Sequence, residues 1–234
     1  MYNSTCLGRE QNHLIRMNDL RYTLLADGSS DRALMPILTW LLYEHLPTRA
    51  VQARWADLRR LPNPPRRMPE RIRVALGLYP CDLLFVHRDA ENTSLDKRQT
   101  EIYEAFQEAC SVEIAFAGVA VVPIRMTEAW LLTDVSAIRE AAGNPNGLTE
   151  LDLPKLRDVE NTPNPKSVLH SLILEATEVP ARRKKKFNVQ SAVQRIPEYM
   201  EDFSVLRRLS AFSALEEKLM ETITQQAWDE TPAP

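Results

Sequence analysis

At 234 residues the chain is long enough for one large domain, or for a domain with an appended lobe. Its 44% apolar content is ordinary for a globular protein, and its net charge of −3 excludes any whole-chain electrostatic argument for a nucleic-acid partner. No apolar run reaches transmembrane length, so no membrane partner is expected.

The first 20 residues lack the charged-then-apolar order of a signal peptide and read as an N-terminal arm of a cytoplasmic protein. The three cysteines, Cys6, Cys81 and Cys110, are odd in number and form no CxxC, which predicts small buried thiols in a reducing compartment. Residues 21–26 predict a first strand, ending in Asp27-Gly28. Gly28 suggests a tight turn with an unusual backbone angle. Asp31, Ser29 or Ser30 is placed to cap the helix predicted over 31–46, whose apolar face is Leu34, Ile37, Leu38, Leu41 and Leu42.

Residues 50–56 read as a second strand, and the proline-rich, basic "LRRLPNPPRRMP" as a loop. A helix over 69–79 precedes "CDLLFVHRD", a strand buried on both faces. A helix is predicted over 95–110, a β-rich run over 118–124, and a helical stretch, "TEAWLLTDVSAIREAAG", that Gly143 stops. Residues 144–164 are turn-rich and read as a linker. Helices over 165–178, 188–200 and 211–227 make a helical C-terminal lobe over 165–227, and residues 228–234 a flexible tail.

Strands alternating with helices over 21–143 imply an α/β domain with a parallel sheet flanked by helices. Sites in such sheets form at the carboxyl ends of the strands. That places Asp27 after the first strand, His87 to Glu91 after the third, and Arg125 to Glu128 after the fourth. Asp89 and Glu91 are two residues apart, so in an extended segment their side chains point the same way. Two such carboxylates repel unless a proton or a cation lies between them. Hard oxygen donors of this kind suit Mg²⁺ or Mn²⁺. If the first and third strands are neighbours, Asp27 joins the pair, and the three acids would make a metal site fit for phosphoryl transfer. Acids at strand ends also cap helices or simply face water. The repetition of the pattern after two strands favours a site. His87, on a buried strand, is either a ligand or hydrogen-bonded structure. Glu128 either joins the site or serves as an acid at a helix N-terminus.

The acid-glycine turn after strand one and the acidic pair after strand three resemble the TOPRIM domain of topoisomerases, primases, recombination proteins and related nucleases. The usual Glu-Gly is here Asp27-Gly28, and the usual Asp-x-Asp is Asp89-Ala90-Glu91. The resemblance covers roughly residues 20–130. "TEAWLLTD", the helical lobe and "LRRLSAFSALEEKL" look like a narrower bacterial group, some of whose members are associated with ATPases in phage defence. It implies Asp27 as general base or metal ligand, Asp89 and Glu91 as Mg²⁺ ligands, and nuclease activity. Asp27 is one methylene shorter than the usual Glu, which alters its reach. Tyr22 lies inside a strand, and Tyr79 and Tyr103 lack a distinctive context, so attack by water is favoured over a tyrosine nucleophile.

Between Arg49 and Arg73 there are eight arginines against only Asp57 and Glu70. Arg66, Arg67, Arg71 and Arg73, with the second cluster Arg182, Arg183, Lys184 and Lys185, are candidates to grip the phosphates of DNA or RNA. An acidic protein partner would suit the same patches. With no GxxxxGK[ST] in the chain, ATP would have to be used by a separate companion ATPase. An oligomer is compatible with the sequence. The competing reading is a non-catalytic module that binds or restrains such an ATPase. A small-molecule phosphotransferase fits less well, because Asp89-x-Glu91 is a poor match to a nucleophilic acid followed by a second acid.

Overall fold

Four short runs of apolar residues build the sheet. The computed structural model describes residues 19–110 and 116–230. In it β1 (Asp19–Leu25), β2 (Ala50–Ala56), β3 (Leu83–His87) and β4 (Ala117–Val121) form one sheet in the order β2-β1-β3-β4. All three pairings are parallel. β3 is buried along its whole length, as its unbroken apolar run requires of a strand covered on both faces. β2 sits at an edge and exposes Gln52 and Arg54, polar side chains that discourage pairing with another chain.

Side chains alternate across the sheet. Leu24, Phe85, Val119 and Val121 enter one buried cluster; Leu25, Leu84, Val86 and Ala120 enter another. The second cluster is closed by α2 (Met68–Leu78) through Ile72 and Ala75, and by α3 (Leu95–Ala109) through Ile102 and Phe106. The first is closed by α1 (Leu34–His45), whose buried residues are the five apolar positions expected from the sequence.

The stretch expected as one helix before Gly143 is two, α4 (Glu128–Leu131) and α5 (Val135–Ala141). Asp134 causes the break: its side chain accepts from the Ala137 amide at 2.9 Å and starts a new helix. Gly143, at φ +75°, then stops α5 in the left-handed conformation that glycine tolerates. The helix expected from residue 31 opens with a 3₁₀ turn over Ser30–Ala33.

The C-terminal helices are α6 (Pro165–Ala176), the one-turn α7 (Ala181–Lys184), α8 (Val189–Tyr199) and α9 (Ser210–Gln225). They share the first cluster with the sheet, and Trp130 meets Phe212 edge to face at 5.4 Å. Residues 144–164, expected as a linker, are pinned rather than free: Leu151 and Val159 are buried in that cluster. Glu160 accepts from the Ser210 and Ala211 amides at 3.0 and 2.9 Å, satisfying the exposed donors that open α9. The expected flexible tail is anchored at its start. Trp228 packs against the cluster, and its carbonyl accepts from Arg49 Nε at 2.7 Å.

Of the expected N-terminal arm, Asp19 and Leu20 belong to β1, while residues 1–18, Cys6 among them, lie outside the described residues, as do 231–234. Of the thiols expected to be buried, Cys81 is only partly so and Cys110 is exposed, because Cys110 follows the last turn of α3 rather than packing inside it. No helix among the described residues is long and apolar enough to cross a membrane.

Candidate functional site

The parallel register sets Leu25 beside Val86, so the turn after β1 and the end of β3 lie together at the carboxyl edge of the sheet. There a cleft of about 290 Å³ is lined by Asp27, Asp31, His87, Asp89 and Glu91, with Arg88 and Arg98. The condition on which the shared site depended, neighbouring first and third strands, is met.

The turn after β1 works differently from the expectation. Gly28 does not take a positive φ, and neither Ser29, Ser30 nor Asp31 caps the following helix. Instead Asp31 folds back, its Oδ2 accepting from the Gly28 amide at 2.8 Å and its Oδ1 from the Ser30 hydroxyl at 3.1 Å. A Cβ at Gly28 would lie 3.3 Å from Ser30 Oγ, so glycine gives room for this close loop.

At the bottom of the cleft stands His87, 2% exposed. Its Nδ1 lies 3.3 Å from Asp31 Oδ2, an ionic contact without hydrogen-bond alignment. On the other side Nε2 lies 3.2 Å from Asp89 Oδ1 and 3.1 Å from the Thr127 hydroxyl. Burial opposes a charge on the ring, but the flanking carboxylates outweigh it and raise the pKa from 6.5 to about 9. Asp31 answers in kind: burial pushes its pKa up, yet His87, the Gly28 amide and Ser30 together hold it below the usual carboxylate value. His87 is thus a buried cation bridging the two acid-bearing turns. The sequence showed a histidine closing an apolar strand two residues before an acid, but not that Asp31 would stand opposite.

Asp89 Oδ1 also accepts from the Thr127 amide at 2.9 Å, which ties the β3 turn to the segment before α4. Glu91 is exposed and takes φ +52°, so the extended-chain argument for Asp89 and Glu91 pointing together does not hold at this turn, although both reach the cleft. Asp27 is half exposed and already engaged. Arg71 of α2 donates to its Oδ1 and, at 2.8 Å, to the Ala26 carbonyl, and Arg88 Nε lies 3.6 Å from Asp27 Oδ2. Glu128 opens α4 and is buried, 3.9 Å from Lys166 Nζ. Burial, with repulsion from Asp89 and Asp31, pushes its carboxyl pKa up.

Hard carboxylate oxygens match Mg²⁺ in kind. As they stand, no three of His, Cys, Asp and Glu among the described residues are placed together to hold an ion, so an ion here would be shared by fewer carboxylates with substrate phosphates. The charges of Asp27 and Asp89 are spent on Arg71, Arg88 and His87.

The expected phosphate-gripping arginines divide. Arg71 lies at the cleft. Arg67 turns to Glu108 at 3.0 Å and Arg73 donates to the Glu108 carbonyl, both at the far end of α3. Arg66, Arg182, Arg183 and Lys185 are exposed and Lys184 is partly so, in the loop before α2 and in and just after α7. Tyr22 is fully buried, with its hydroxyl 2.7 Å from Thr39 Oγ1 and donating to the Met35 carbonyl at 3.0 Å, so it is a core residue. The chain matches no family model, no curated protein and no solved structure. Fold and site define an α/β protein with a four-stranded parallel sheet and a polar cleft at its carboxyl edge.

Proposed function

We propose that this chain is a TOPRIM-like, Mg²⁺- or Mn²⁺-dependent nuclease that cleaves phosphodiesters of DNA or RNA in the bacterial cytoplasm, as a phage-defence effector working with a separate ATPase. One observation carries the reading: Asp27, from the end of β1, and Asp89 and Glu91, from the end of the neighbouring β3, line a common cleft. Asp27, Asp89 and Glu91 are the carboxylates to which the ion is assigned, with Glu128 beside them. Mg²⁺ is commonly held by one or two carboxylates together with substrate phosphates. A phosphate arriving at the cleft would compete with Asp27 for the guanidinium groups of Arg71 and Arg88.

A second reading, a non-catalytic TOPRIM-like module that binds or restrains the ATPase, is favoured by the ion pairs that occupy Asp27 and by the lack, among the described residues, of a three-donor cluster. Cleavage assays separate the two. Labelled single-stranded and duplex DNA and RNA are incubated with Mn²⁺ and the companion ATPase. The parent chain should cut at least one of them. Asp27→Ala should cut at least about 100-fold more slowly, the scale of a lost acid–base group, while still binding the substrate. A parent that binds its companion and cuts none of the four substrates transfers the conclusion to the second reading.

A further inference from the structure

A second cleft, of about 500 Å³, adjoins the acidic one. The two meet at the turn after β1: Gly28 lines the first and Ser29 the second. Arg32, Arg59 and Arg60 line the second cleft with Trp55, Tyr79 and a single acid, Asp57. Arg59 and Arg60 reach Asp57 at 2.9 and 3.2 Å, yet their side chains remain 49% and 88% exposed. Three guanidinium groups against one carboxylate leave a surplus of positive charge, beside a cleft whose acids Asp27, Asp31 and Asp89 are paired with cations. Beyond it, Arg32 and Gln194 also line a groove of about 790 Å³ between α1 and α8, walled by Trp40 and the exposed Tyr43.

We propose that the Arg32–Arg59–Arg60 cleft is a subsite for the backbone of a single-stranded nucleic acid whose reacting phosphodiester sits in the acidic cleft. The assignment rests on the nuclease reading for the strand's purpose, but not for its binding. Guanidinium groups recognise phosphate by paired N–H donors, and aromatic walls offer unstacked bases a face. The clefts follow one another as a bound strand would need: carboxylates at the reacting phosphate, arginines beside them, aromatic rings further along. This moves the basic surface from Arg66, Arg67 and Arg73, of which Arg67 and Arg73 face Glu108, to arginines on the other side of the β1 turn.

The test is fluorescence anisotropy of a labelled 12-nucleotide single strand, DNA and RNA, with the full chain in EDTA at several salt concentrations. No cutting occurs there, so binding is read apart from catalysis. Replacing Arg32, Arg59 and Arg60 by Gln should weaken binding at least about tenfold and lower the log–log salt slope by about 2 units, at about 0.7 per single-strand phosphate. Asp57→Asn should tighten binding several-fold by freeing Arg59 and Arg60, and its side chain caps no helix. Circular dichroism confirms the fold of each variant. Should the triple variant unfold, Asp57→Asn decides, and unchanged or weaker binding there overturns the proposal. So does unchanged affinity of a folded triple variant, or a parent that binds neither strand. A mononucleotide that competes as tightly as the 12-mer would make the ligand a free nucleotide, which also overturns it. Arginine-dependent binding without cleavage by the metallated protein removes the nuclease reading alone. Cleavage that is indifferent to all three arginines removes the subsite alone.

Discussion

The acids at the carboxyl edge of the sheet fall into two sets with opposite surroundings. Asp27 is 51% exposed and held by Arg71 and Arg88, while Asp31 and Asp89 are 10% and 21% exposed and flank His87. Water reaches Asp27 and Arg88 and screens that pair, while the less exposed Arg71 also holds the Ala26 carbonyl, so Asp27 is the partner that can be exchanged. The inner set has no such freedom. Its two carboxylates share one cation in a buried place, and removing that cation leaves both acids uncompensated. The contrast teaches a division of labour. Asp31, His87 and Asp89 hold the β1 and β3 turns together; Asp27 and its arginines form the part that a ligand can rearrange.

Removing the inner cation breaks the comparison most severely. His87→Ala leaves the Asp31 and Asp89 carboxylates facing each other, and should cost about 3–5 kcal/mol, the scale of a broken buried ion pair. Urea unfolding measures it. A loss of no more than about 1–2 kcal/mol would put inner and outer acids on the same footing.

Proton titration comes next. His87 has a folded pKa of about 9 against 6.5 unfolded, so its contribution is complete below about pH 6.5 and lost as pH rises toward 9. The full span corresponds to about 3 kcal/mol. Asp31, with its lowered pKa, contributes above its unfolded 3.8 and loses that contribution as pH falls through its folded value. Stability should therefore be greatest between about pH 4 and 6.5, and His87→Ala should flatten the alkaline limb. An alkaline limb of equal slope in parent and variant would assign that loss to other groups.

The smallest effect belongs to the outer acid. Asp27→Ala should cost about 1–2 kcal/mol, less than His87→Ala, because the pair with Arg88 is solvent-screened and the largely buried Arg71 keeps the Ala26 carbonyl as a partner. A thermal midpoint that falls as far as that of His87→Ala would erase the distinction.

Strands, helices and the meeting of Asp27 with Asp89 were legible because each follows from a local pattern: an apolar run, a 3.6-residue period, an acid at a strand end. The 50–56 strand has the expected bounds, Ala50–Ala56. What escaped depends on distance across the fold. Asp31 and His87 are 56 positions apart in sequence and meet only through the β1–β3 register. Arg71 looks like its neighbours Arg67 and Arg73 in sequence, but it meets Asp27 while Arg73, on the other side of α2, and Arg67, in the extended residue before the helix, meet Glu108. The packing of the 144–164 linker was not legible because Leu151 and Val159 are isolated apolar residues among prolines and polar groups, with no periodicity to announce their burial.

The packing of α9 on β4 has a consequence for synthesis on the ribosome. The strands are complete at Val121, yet Leu215 and Leu219, which share the cluster with Val119 and Val121, are made roughly 100 residues later. At about 5–20 residues per second, a delay of roughly 100 residues leaves the β4 side of that face, which α1 alone does not close, without its α9 cover for about 5–20 s. A message truncated before Ser210 would release a sheet that stays sticky, with β4 denied the helix that shields it.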